Sequence, residues 1–213
     1  IPGIVYSVVG AGRNLRTAFI NIGVVFFLQL SGFPVFSQNC ATSGTFTLSG
    51  NDNTYYPAQA NKSLSSGATT IPINKADTRS GIGHSDINVG DILLIIQMQG
   101  AQINVPASQT ATGYGNNTGS GRGFTTTSLY AGNMEFVVAT NAISHTSNGN
   151  LNIASGLVNS YKSAPYGTYG QYTYQLILIQ PHFDILLNAN ISAPPWNGST
   201  GGIIVLTATN QIN

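Results

Sequence analysis

The chain has 213 residues, and only 6% of them are charged, with seven Lys or Arg against six Asp or Glu, where about 25% charged is typical of soluble domains. A surface this poor in cations cannot neutralise many phosphates, which excludes nucleic acid as a partner. Plentiful aromatics and a net charge of only +1 equally exclude the low-hydrophobicity, high-charge class of disordered chains.

Arg13 to Cys40 reads as a secretory signal peptide. Arg13 and Arg16 form a positive n-region. Ala18 to Leu30 form an apolar h-region, broken by Asn21 and Gln29, and Val35-Phe36-Ser37 places a small residue at the cut. Export would therefore leave Gln38 at the new N-terminus, dividing the chain into residues 1–37, upstream residues and a helical signal, and residues 38–213, the mature module. Asn21, Gln29, Gly32 and Pro34 argue against a retained anchor, so the membrane is met only during export and the product is secreted or held at the cell surface. Without Arg13 and Arg16 the mature part carries five cations against six acids. The sequence starts without Met, and Ile203 to Asn213 reads as a strand interrupted in mid-pattern, so a longer protein, continuing beyond Asn213, is expected. Cys40 is the single cysteine, which rules out an intramolecular disulfide scaffold.

After Gln38 the runs are short, rich in β-formers and separated by Gly, Asn, Pro and Ser. Strands are expected at Thr45–Leu48, at Thr69–Ile73, where Pro72 marks an edge or bulge, and at Ile92–Met98. The last follows a Val89-Gly90-Asp91 turn and suits a strand buried on both faces. Glu135–Ala139 and Asn150–Ile153 come next, with Ser147-Asn148-Gly149 as a hairpin turn. Leu157–Tyr161, Tyr172–Ile179, Phe183–Leu187 and Ile203–Thr207 complete the set. No window has helical spacing with a cap and a glycine stop. The expected fold is all-β, a β-sandwich or a module that caps a β-solenoid. Asn74–Asn88 and Gln99–Gly132 read as connections, the second nearly low-complexity at Gly113–Phe124.

Catalytic patterns are not found in the sequence. Gly119, Gly121 and Gly123 lack dinucleotide spacing, and neither a phosphate-binding loop nor a Gly-x-Ser-x-Gly elbow occurs. His84, His145 and His182 are at no metal-ligand spacing, and Asp77, Asp86 and Asp91 follow neither calcium-loop order. Asp91 reads as a turn residue, and Glu135, the lone glutamate, as a structural residue opening a strand. No cofactor, metal or catalytic residue is expected, and the chain reads as no enzyme. Tyr161, Tyr166, Tyr169, Tyr172 and Tyr174 crowd one segment and Trp196 lies in a Pro-Pro-Trp-Asn-Gly run. Such rings serve either as core edge or as glycan platforms, and Tyr166, Tyr169 and Trp196 are the candidate glycan contacts. Asn61, Asn116, Asn190 and Asn197 stand in glycosylation sequons.

NTYYPA at Asn53–Ala58, VGDILLIIQMQGAQIN at Val89–Asn104, AGNMEFVVAT at Ala131–Thr140, LVNSY at Leu157–Tyr161 and PPWNGSTGGIIVL at Pro194–Leu206 occur in an order that resembles one family. This is the N-terminal module of large exported bacterial surface proteins, many of them predicted adhesins with type IX sorting tails. The resemblance implies a non-catalytic structural or adhesive module ahead of glycine-rich β-repeats, whose partners are surface glycans or other cell-surface proteins. It implies no particular catalytic or binding residue. The alternative is a carbohydrate-binding module of a larger secreted enzyme.

Overall fold

The computed structural model describes residues 41–103, 124–125, 129–167 and 170–213. The signal segment, Cys40, most of Gly113–Phe124 and Tyr169 lie outside the described residues. Those described form thirteen strands and no helix, so the fold is all-β.

The centre is a six-stranded sheet. Its middle strands are β5 (Ile92–Gln99) and β11 (Gly170–Leu178), paired antiparallel with Leu94 opposite Ile177. β8 (Met134–Val138) flanks β5, while β2 (Thr54–Pro57) and β10 (Tyr161–Gly167) share the far side of β11, and β3 (Lys62–Leu64) closes that edge. A second, two-stranded sheet pairs β4 (Thr70–Ile73) with β9 (Gly149–Asn152), and a further short pair joins β6 (Gln102–Ile103) to β7 (Phe124–Thr125). The third layer is parallel: β1 (Thr45–Leu48), β12 (Pro181–Leu187) and β13 (Thr207–Ile212), with β12 in the middle.

The strict alternation of a strand divides β5 between two cores. Leu93 and Ile95 face Ile71, Ile73, Leu151, Tyr174 and Leu176, the core shared with the β4–β9 sheet. Leu94 and Ile96 face Tyr55, Ile177, Ile179 and Val205. Leu94 is 2% exposed and Leu93 and Ile95 fully buried, which accounts for a continuous apolar run rather than an alternating one. The expected two-faced burial of this strand is therefore observed.

Three expectations are corrected. Of Leu157–Tyr161 only Tyr161 is in a strand, as the first residue of β10. Ser147-Asn148-Gly149 does not close a hairpin between adjacent ladders, because β8 pairs with β5 and β9 with β4. Among the described residues, the antiparallel Ala139–Ile153 bridge is what joins their ends. Ile203–Leu206 is extended and mostly buried but belongs to no strand, and the strand begins at Thr207. This segment is sandwiched between layers. Ile203 and Val205 pack towards the six-stranded sheet, and Ile204 and Leu206 pack with Leu48, Ile185 and Ala208 of the parallel sheet.

Candidate functional site

Two side-chain amides hold Gly201–Leu206 where no β-ladder does. Asn53, fully buried, accepts from the Val205 N–H at 2.8 Å and donates to the Val205 carbonyl at 2.8 Å. Gln175, on β11, does the same to Gly201, with both bonds at 2.8 Å. A third buried amide, Gln97 on β5, accepts from the Lys162 N–H at 2.9 Å and donates to its carbonyl at 2.7 Å. Each amide presents the same donor–acceptor pair as a peptide group, so it satisfies backbone that would otherwise be buried without partners. Tyr55 adds a hydroxyl bond to the Ile203 carbonyl at 2.6 Å, and burial pushes its own pKa up to about 12.

The Pro194–Gly202 loop is anchored beside this segment. Asn197 Oδ1 accepts from the Ser199 and Thr200 N–H groups, each at 2.9 Å, and Gly202 N–H donates to the Pro194 carbonyl at 2.7 Å. Gly201 has φ +104°, and a Cβ there would lie 2.6 Å from the Pro195 carbonyl, so only glycine fits. Arg79 clamps the loop to the Asn74–Asn88 connection. It donates to Asp77 through Nε at 2.8 Å and to the Pro195 carbonyl at 2.6 Å, and Thr200 Oγ1 donates to Asp77 at 2.6 Å. Burial alone would raise the Asp77 pKa. The bonds from Arg79 and Thr200 outweigh it and hold the carboxyl below its ordinary value.

Between this loop and the ends of β2, β4, β10 and β11 runs a groove of mixed polar and apolar lining. Its larger part, about 420 Å³, is walled by Asn74, Lys75, Thr78, Asn148, Asn197 and Ser199 among others. It adjoins a smaller cleft of about 180 Å³ reaching Pro165, Gln171 and Tyr172, and the two share Pro57, Asn74 and Ser199. The amides are fixed by their backbone bonds: Asn148 Oδ1 accepts from Lys75 N–H at 2.8 Å, and Asn74 Nδ2 donates to the Ala58 carbonyl at 3.1 Å.

Of the candidate aromatics, Trp196 is half-buried in the anchored loop, next to Asn197, and does not itself line the groove. Tyr166 stands in β10, immediately after groove residue Pro165. Tyr169 lies outside the described residues. Tyr161, Tyr172 and Tyr174 are core side chains: Tyr161 and Tyr174 meet edge-to-face at 6.2 Å, and Lys162 Nζ lies 4.5 Å from the Tyr172 ring centroid. The groove amides were missed in the sequence because Asn is so frequent that no single one stands out.

The acids, His145 and His182 make structural contacts. Glu135 accepts from Val158 N–H, Asn159 N–H and the Tyr161 hydroxyl at 2.8, 2.9 and 3.0 Å. Asp91 accepts from Asn88 N–H at 2.8 Å, as a turn residue should. Asp86 is bonded by His145 through its N–H at 2.7 Å and its ring Nδ1 at 2.6 Å, contacts that lower its pKa. His182 meets Asp52 at 2.9 Å and stacks on Phe46 at 4.0 Å. Among the described residues no three His, Cys, Asp or Glu side chains gather as metal ligands. No family model, no curated protein and no solved structure matches this chain.

Proposed function

We propose that this chain is a non-catalytic structural or adhesive module of an exported surface protein, of the kind its resemblance to type IX surface proteins implies. One observation carries the reading: the parallel β1–β12–β13 layer. Parallel strands in one sheet are usually joined through a helix, yet β12 passes to β13 through residues 188–206 with none. Stacked parallel strands with irregular crossovers are the geometry of a solenoid rung, and the offset from Pro181 to Thr207 lies within the ~20–45-residue repeats of such proteins. The module would then cap a β-solenoid, with β13 presenting the edge on which a further rung stacks.

Export is tested by sequencing the N-terminus of the protein recovered from the cell surface or medium, which should begin at or near Gln38. Recovery in a membrane fraction with residues 18–37 retained would contradict it. Adhesion is tested by comparing attachment of cells with and without the gene. A second reading, a carbohydrate-binding module of a larger secreted enzyme, is favoured by the amide-walled groove. A catalytic domain in the same polypeptide would decide for it, and β-repeats with a sorting tail would decide against it.

A further inference from the structure

We infer that the groove walled by Asn74, Asn148 and Asn197 binds a short stretch of a neutral glycan chain, an inference that rests on the adhesive or glycan-binding reading of the module. Three observations carry it. Each amide has one polar atom committed to backbone and, among the described residues, no partner for the other. Asn148 and Asn197 spend Oδ1 on Lys75, Ser199 and Thr200 N–H groups and keep Nδ2, whereas Asn74 spends Nδ2 on the Ala58 carbonyl and keeps Oδ1. The side chains are thus held in place before any ligand arrives, which removes part of the ordering cost of binding. The result is a fixed set of two donors and one acceptor, with the Ser199 and Thr78 hydroxyls beside them. A sugar hydroxyl, both donor and acceptor, pairs with either kind.

The charge balance points the same way. Asp77 is consumed by Arg79 and Thr200, leaving Lys75 as the single uncompensated charge among the described lining residues. One exposed ammonium does not make an anion site, and no acceptor cluster is left for a cation. The volume of about 420 Å³ falls in the ~300–1,000 Å³ range of small-ligand sites, and polar and apolar surface line it about equally, where such sites are mostly apolar. It also lacks the deep apolar pockets that anchor peptide side chains. In the adjoining smaller cleft Pro57, Ala58, Ala60 and Pro165 supply instead a low apolar wall, suited to the C–H face of a pyranose ring.

The test uses the intact module on an array of neutral oligosaccharides printed beside acidic oligosaccharides and peptides, followed by calorimetric titration of the best neutral one. Asn148→Asp combined with Asn197→Asp keeps both Oδ acceptors, and so both backbone anchors, while removing both free donors. We expect this variant to melt like the wild type and to bind the oligosaccharide at least about tenfold more weakly, the loss of ~1.4 kcal/mol or more. Ser199→Trp, which fills the groove shared by both clefts, should abolish binding without adding charge. Failure to retain any neutral glycan, retention of peptides or acidic glycans in their place, or unaltered affinity in both variants would each overturn the inference. Cell attachment separates the two claims. If attachment depends on the protein but survives both variants, the groove assignment fails and the adhesive reading stands. If glycan binding needs the groove but attachment is independent of the protein, adhesion fails and the site stands.

Discussion

Leu94 shows what one side chain contributes. Its complete burial is worth about 1.5–3 kcal/mol, and Leu94→Asp would set an unpaired carboxylate among Tyr55, Ile177 and Val205, at a cost of several kcal/mol. Since whole domains are stable by about 5–15 kcal/mol, this variant should unfold far below the wild type, and wild-type-like melting would reject the assignment of the buried face. Asn53→Leu removes both partners of Val205 at once. Each orphaned group costs about 1–3 kcal/mol, so the midpoint should fall as sharply as for a core truncation, although no strand is touched. Asp77 adds a pH dependence. Its folded pKa is depressed, so its stabilisation is complete above the ordinary value near 3.8 and drains away as pH falls through the lower folded value. Asp86, exposed, acts in the same direction. Asp77→Asn should therefore lose less thermal stability than the wild type between pH 6 and pH 3. An identical loss in both would mean that the Arg79–Asp77–Thr200 clamp is not formed in solution.

At the scale of elements, the strong strands could be read from residue type alone because hydrophobic runs bounded by turn residues have few other uses. Thr45–Leu48, Thr70–Ile73 and Ile92–Gln99 lie where the pattern puts them. The failures have local causes. β2 holds only two large residues, Tyr55 and Tyr56, which point into different cores, and two residues cannot display a period. β10 was hidden by Pro165. That proline lies past the end of β3, which pairs only with Tyr161–Ser163, and at the register shift against β11, so its missing N–H disturbs little. Ile203–Leu206 has the composition of a buried strand because it is buried on both sides. What the run could not reveal is that its partners are the side chains of Asn53 and Tyr55, 152 and 148 residues away. The groove was illegible for the same reason: Asn74, Asn148 and Asn197 are brought together by long-range packing, not by spacing.

For the molecule as a whole, three stacked layers leave one edge strand whose situation matters. β13 lies at the rim of the parallel sheet, and its Asn210 and Gln211 are exposed. An open edge templates association. Asn210→Lys with Gln211→Lys should keep the module monodisperse at concentrations where the wild type scatters light, and the same substitutions should weaken docking of any further rung. Equal monodispersity of the two proteins would indicate that the sheet is closed at β13 and would remove the main support for a solenoid cap.

The amide-for-backbone pairing at Gly201 and Val205 has a kinetic counterpart. Both N–H protons belong to irregular chain, where exchange with solvent deuterons is ordinarily fast, yet each is buried against a side-chain carbonyl that can be released only by lifting the layer above it. In a deuterium-labelling time course these two positions should exchange as slowly as the centre of β11, at the rate of global opening. Ser199, exposed on the groove rim and bonded only to Asn197 within its own loop, should label far sooner. Early labelling at Val205 would mean that the segment lifts away from the sheet as an independent unit.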